Sequence, residues 1–177
     1  VVMTRVDARL IHGQVAVRWT KVLQAKKIVV VDNKSAADDF LTELLLLAAP
    51  QGVTVQVMNE AKALEEWKKD GYGEQNTIII FQNIDTAKRC YDQGLNYTSI
   101  NIGQVPKMPD RPYHANNTCH LSEAELDALK GLNGDGVRVY FHPTPEDKLV
   151  EFEAAYKKLK ACLLYTSPSP RDRTRSR

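Results

Sequence analysis

Two stretches, Ile28-Val29-Val30-Val31 and Thr77-Ile78-Ile79-Ile80-Phe81, are apolar at almost every position and show no polar alternation. Such strands are buried on both faces, the state of a strand inside a parallel sheet covered by helices. Further β-favouring runs fall at 1–6, 53–58, 97–102 and 137–141. Between them lie segments with helical spacing. Residues 14–24 place Val15, Trp19, Val22 and Leu23 on one face. Ser35 is expected to cap a helix that runs to about residue 49, closed by Pro50-Gln51-Gly52, and Asn59 caps one through Leu64 and Trp67. Asp85 opens another that stops before Gly94. Ser122 with Glu125 three residues on forms a capping box, and a last helix is expected over 145–160.

Strict alternation of strand and helix predicts an α/β domain with an open, doubly wound, mostly parallel sheet and helices on both faces. The rhythm breaks after Gly103, where Pro106, Pro109 and Pro112 require a surface loop. The extended piece at 113–119 is the expected antiparallel edge strand. Trp19 and Trp67 fall on helix faces and read as core. One domain is expected over 1–160. Segment 161–177 lacks apolar periodicity and is expected to be a disordered or non-native tail.

Charge narrows the function classes. The chain carries a formal net +2, but four arginines against one aspartate fall within 163–177, so the rest sums to −1. A nucleic-acid surface needs a basic patch on the domain, and this domain has no basic excess to form one. The longest apolar stretch, 44–50, is far below the roughly 20 residues of a membrane span. No basic, apolar and small-residue succession marks a signal peptide. Cys90, Cys119 and Cys162 form no CxxC pair, which fits a reducing compartment. His114, Cys119, His120 and His142 lack the spacing of a metal site, and no metal is expected.

Chemistry concentrates in Arg5-Val6-Asp7-Ala8-Arg9-Leu10-Ile11-His12-Gly13-Gln14, which joins the first strand to the first helix. In an open α/β sheet, ligands bind outside the carboxyl ends of the strands, where the strand order reverses. A histidine followed by glycine at a helix entrance meets a phosphoryl group with its ring, while backbone N–H groups face the oxygens. Transfer to a ring nitrogen requires neutral imidazole, whose ordinary pKa is about 6.5. Arg5 and Arg9 disfavour its protonation, then favour an arriving dianion. Asp7 either holds the second ring nitrogen or pairs only with the arginines. Gly13 admits close backbone approach, and Gln14 either presents its amide to an oxygen or faces solvent. Gln82 and Asn83, at the end of the fourth strand, reach the same place from a neighbouring loop. These residues suit a phosphoryl-carrying His12. They also suit a phosphate- or nucleotide-binding module without catalysis, although GxGxxG is missing after the first strand.

The decapeptide, extended through Val15 and followed by Trp19-Thr20, resembles the opening of the mannose/fructose/sorbose family of phosphotransferase-system (PTS) IIB components. The resemblance continues through Asp32-Asn33, Ile100-Asn101-Ile102-Gly103 and 136–160. It implies a sheet of about seven strands, and a cytoplasmic protein associated peripherally with a membrane transporter. It implies that His12 accepts a phosphoryl group on Nδ1 from a IIA component. His12 then passes it to a sugar held by membrane IIC and IID components, with no separate cofactor. By the same resemblance, Arg5, Asp7 and Arg9 occupy the polar positions around the carrier. Ala8 stands where many members carry a second acidic residue.

Overall fold

The computed structural model describes the backbone of residues 1–166 and the side chains of all of these except 14–16 and 160–166. Strands β1 (Met3–Asp7), β2 (Lys27–Val31), β3 (Thr54–Met58), β4 (Thr77–Phe81) and β5 (Ser99–Gln104) come first. They are joined by helices α1 (Gly13–Val22), α2 (Asn33–Ala36), α3 (Asp39–Leu47), α4 (Glu60–Asp70) and α5 (Ile84–Asp92). A hairpin of β6 (Tyr113–Asn116) and β7 (Cys119–Leu121) then leads to α6 (Glu123–Gly134), β8 (Arg138–Phe141), β9 (Val150–Glu151) and α7 (Phe152–Thr166).

Seven of these strands form one sheet in the order β3-β2-β4-β1-β5-β8-β9, parallel except for the β8–β9 pair. Its apolar runs divide between two cores. Val29, Val31, Ile79 and Phe81 face a cluster shared with α4 to α7, while Ile28, Val30, Ile78 and Ile80 face one shared with Trp19 of α1 and Leu45 of α3. Successive strand residues point to opposite faces, so helices on both sides demand apolar residues at every position.

The chain leaves β1 toward β2 and β3, returns through β4, and departs on the other side through β5 and β8. The order therefore reverses at β1, and the crevice above its carboxyl end collects the loops after β1, β4 and β5.

The local expectations are corrected in five places. Ser35 is not a cap. Asp32 is, accepting from both the backbone N–H and the hydroxyl of Ser35, and Asp38 separately starts α3 by accepting from the Leu41 N–H. Asn83, accepting from the Thr86 N–H, starts α5 in place of Asp85. The antiparallel edge strand is β9, whereas 113–119 folds into the separate β6–β7 hairpin. Residues 145–149 are not helical. Asp147 accepts from the backbone N–H and hydroxyl of Thr144, closing a turn that delays α7 to Phe152. Val22 points outward while Trp19 and Leu23 enter the core. The capping box at Ser122 and Glu125 forms as its spacing requires. Helix α7 continues past residue 160 to Thr166, and the tail expectation for 167–177 lies outside the described residues.

Candidate active site

Strand alternation puts Arg5 and Asp7 on the same face of β1, and both are buried, at 2% and 0% exposure. A buried guanidinium is costly unless its donors are paired, and here both terminal nitrogens are paired while Nε has no hydrogen-bond partner among the described residues. Arg5 Nη2 donates to Asp7 Oδ2 at 2.9 Å and to the Pro143 carbonyl at 2.8 Å. Its Nη1 donates to Asn101 Oδ1 and, at 3.1 Å, to the His142 carbonyl. Asn101 Nδ2 donates to that same carbonyl at 3.1 Å, and Trp19 Nε1 donates to the Pro143 carbonyl at 3.2 Å. The indole ring lies over the guanidinium, with the centroid 5.9 Å from Arg5 Cζ.

Room for this cation comes from β5. The β1–β5 register shifts between Val6 and Asp7, which pair with Ile102 and Gln104 and leave Gly103 as the extra residue. A Cβ on Gly103 would stand 1.9 Å from Arg5 Nη2 and 2.0 Å from its Cζ. Only glycine fits there.

Asp7 carries this anchored network into the loop. Its Oδ1 accepts from the Arg9 backbone N–H at 3.1 Å and from Arg9 Nε at 3.3 Å. Its carbonyl accepts from the Leu10 N–H at 2.9 Å, closing a turn that holds Leu10 at φ 55. A left-handed leucine costs roughly 1–2 kcal/mol. Burial of its side chain beside Trp19 and Ile11 offsets that cost and fixes the loop.

The turn delivers His12 to the N-cap of α1, where its backbone is extended and its ring makes no capping hydrogen bond. The first-turn N–H groups of α1 have no capping side chain and no acidic residue beside them, an arrangement suited to an anion. His12 Nε2 lies 3.5 Å from Asp7 Oδ2 and has no other partner among the described residues. That is just past hydrogen-bond length, a separation that contacts of this kind close when a ligand arrives. The contact favours the tautomer carrying its proton on Nε2 and leaves Nδ1 with its lone pair.

Burial is the largest influence on the ring and lowers its pKa from the ordinary 6.5. Asp7 acts in the opposite sense, and Arg9 and Arg5 add to the lowering. The arginines thus disfavour the imidazolium, as the sequence implied, with desolvation ahead of them. Reactivity of the neutral ring is therefore expected to hold as pH falls from about 8 through 6.5, and to decline only in more acid solution. Linkage works in the same window. The unfolded chain takes up this proton first, so the fold loses stability as pH drops below the ordinary value. Histidine-resolved NMR titration checks the first point, and an inflection above 6.5 would contradict it.

The other expected residues separate by position. Arg9 is 48% exposed, and its terminal nitrogens take no partner among the described residues. Arg5 departs from expectation: a guanidinium committed to Asp7, Asn101 and two carbonyls does not face an arriving phosphoryl group. Gly13 is the first residue of α1, is not left-handed, and has nothing within 4 Å of where a Cβ would stand. Gln14 follows it in the helix, and its side chain lies outside the described residues. Gln82 lines a cleft of about 280 Å³ with Ala8, Arg9 and Leu10. Asn83 caps α5 through Oδ1 and also lines a neighbouring cleft of about 260 Å³ with Ala8 and Gln82. Asn101 and Gly103 were missed as site residues. A buried asparagine between Ile100 and Ile102 in a central strand was the available signal, because a polar side chain there must have partners.

His114 and His120 face each other across the hairpin with ring centroids 4.4 Å apart, and His142 contacts the Asp147 carbonyl through Nε2. Cys119 is buried against the Ile102 carbonyl. Among the described residues no three His, Cys, Asp or Glu side chains converge as metal ligands, and no helix is long and apolar enough to cross a membrane.

The family model for the PTS system sorbose subfamily IIB component matches residues 1–164. The mannose-specific EIIAB component of Escherichia coli strain K12 is 34% identical over 137 residues, covering 77% of this chain and 42% of that protein. The chain thus spans less than half of that relative. The sorbose-specific EIIB component of Klebsiella pneumoniae is 27% identical over 150 residues, covering 85% of this chain and 91% of its own. Among solved structures, manxB from Thermoanaerobacter tengcongensis superposes with a TM-score of 0.83 at 38% identity, covering 89% of this chain and 95% of that one. The IIB domain of the K. pneumoniae sorbose permease gives 0.82 at 26% identity, covering 89% and 96%.

Proposed function

The chain belongs to the PTS sorbose subfamily of IIB components, a sugar phosphotransferase module, and on that premise we propose that His12 is its phosphoryl carrier. The observation that carries this reading is the placement of His12. The ring stands at the open N-terminus of α1, above the switch point of the sheet, with Nε2 turned to a buried carboxylate.

His12 Nδ1 attacks the phosphorus of a phosphohistidine on a IIA component. A new P–N bond forms as the donor's breaks, and the donor ring keeps its electron pair. Asp7 holds the Nε2 proton and stabilises the positive charge the ring acquires. Arg9 and the first-turn N–H groups of α1 neutralise the phosphoryl oxygens. A sugar hydroxyl held by membrane IIC and IID components then attacks, losing its proton to solvent, and the P–N bond breaks with its pair returning to the ring. The chain acts as a protein-phosphohistidine–sugar phosphotransferase, in the cytoplasm at the surface of the membrane complex.

Incubation with phosphoenolpyruvate, the two general PTS proteins and a IIA donor is expected to give an acid-labile, base-stable adduct. A chain that stays unlabelled while the donor is labelled would overturn the reading.

Gly13 supplies a milder test. The space beside it is empty of protein, so Gly13→Ala is expected to fold with stability unchanged or raised by up to about 1 kcal/mol. The added methyl occupies the approach of the phosphoryl oxygens, and the labelling rate is expected to fall about tenfold, a loss near 1.4 kcal/mol. Thermal melting and rapid-quench labelling read the two effects separately.

A further inference from the structure

We propose that Asn101 is a positioning residue for His12, acting through Arg5 and Asp7 to fix which ring nitrogen meets the phosphoryl group. The inference rests on the carrier reading above and goes beyond it, because among the described residues Asn101 makes its hydrogen bonds to Arg5 and the His142 carbonyl and none to the His12 ring.

The connection is continuous in the structure. Asp7 Oδ2 stands between Arg5 Nη2 at 2.9 Å and His12 Nε2 at 3.5 Å, so the direction of its lone pairs is shared by the two. The place of that oxygen depends on where the guanidinium sits. Asp7 cannot locate the guanidinium alone, because its other oxygen is committed to the Arg9 backbone and Nε. The far side of Arg5 is located by Asn101 Oδ1 and the carbonyls of His142 and Pro143.

Asn101 does two things there with one side chain. Its oxygen receives Arg5 Nη1, and its amide nitrogen holds the His142 carbonyl that receives the same Nη1. Removing it takes away one acceptor and loosens a second. The guanidinium then keeps the loosened His142 carbonyl and the Pro143 carbonyl, the latter shared with Trp19 Nε1, to set it against Asp7. A shifted guanidinium turns the Asp7 carboxylate, and the preference of His12 for a proton on Nε2 weakens. Gly103 completes the arrangement from below, since any side chain there fills the space the guanidinium occupies.

The test is long-range proton–nitrogen NMR of the His12 ring in the unphosphorylated full chain, paired with the rate of labelling. Wild type is expected to show one dominant neutral tautomer, protonated on Nε2. In Asn101→Ala the two ring-nitrogen shifts are expected to move toward each other as the second tautomer appears, and labelling is expected to slow about tenfold. Should Asn101→Ala fail to fold, Trp19→Phe carries the test. It keeps an aromatic ring beside Arg5, removes the donor to Pro143 and shortens the ring that meets His142, so a smaller change in the same direction is expected. A folded Asn101→Ala with wild-type ring shifts and rate would overturn the proposal, as would Trp19→Phe with both unchanged, or wild type protonated mainly on Nδ1. Failure of the carrier reading looks different: wild type would then take no label on His12, whatever the ring shifts of the variants show.

Discussion

Gly103→Ala is expected to destabilise the chain by about 3–5 kcal/mol, more than an ordinary core substitution. The methyl would stand 1.9 Å from Arg5 Nη2. A flexible arginine on a surface would swing away from such a contact at little cost. Arg5 is fully enclosed and hydrogen-bonded to Asp7, Asn101 and two carbonyls, so moving it breaks several buried bonds together. With domain stabilities of about 5–15 kcal/mol, the loss is expected to lower the melting temperature by roughly 10 °C or more. A double-mutant cycle identifies the cause. In an Arg5→Ala background the added methyl meets no guanidinium, and most of the cost of Gly103→Ala is expected to vanish, a coupling of about 2–3 kcal/mol. Additive effects would show that the clash is not the mechanism.

Asp7→Ala is expected to damage both fold and reaction. It leaves the Arg5 cation buried without its carboxylate, and losing one partner of a buried ion pair costs about 3–5 kcal/mol. It also releases the Arg9 backbone N–H that anchors the turn before His12. Chemically, the ring loses the group that holds Nε2 and compensates the charge of the phosphorylated imidazole. Labelling is expected to slow about 10²-fold or more. Asp7 opposes the lowering of the His12 pKa, so its removal is expected to move that pKa further below 6.5. The titration separates this from unfolding, since an unfolded chain would return the ring to its ordinary value. A folded variant with an unmoved or raised His12 pKa would contradict the assigned role.

What was legible in the sequence was local. Fully apolar runs such as 28–31 announced strands buried on both faces, and the Ser122–Glu125 spacing announced a capping box that the structure contains. The crowding of polar groups ahead of His12 was legible too, because the five positions 5–9, across the end of the first strand, hold two guanidiniums and a carboxylate. The division of labour between the arginines was not. Arg5 and Arg9 look alike in sequence, and one ends buried while the other stays half-exposed. The difference arises from Asn101 and the His142 and Pro143 carbonyls, 96 to 138 residues away, and from a bulge at Gly103 that no spacing rule reveals. Strand alternation did hold one clue, since Arg5 and Asp7 must share a face and a face inside a covered sheet is buried. The two-residue strand β9 is too short to carry a periodic signal, and the turn closed by Thr144 and Asp147 overrode the helical appearance of 145–149. Ser35 was the cap expected from the sequence, and the chain instead uses Asp32, whose carboxylate satisfies two donors at once.

The most direct measurement of His12 as carrier is phosphorus–nitrogen coupling in the chain labelled with ¹⁵N-histidine and phosphorylated through a IIA donor, run beside His12→Asn. Asparagine is a good N-cap residue, so that variant is expected to keep α1 and to fold. The structure predicts one coupled nitrogen, Nδ1 of His12, in wild type and no adduct in His12→Asn. Coupling to Nε2, or a stable adduct that persists in the variant, would contradict it.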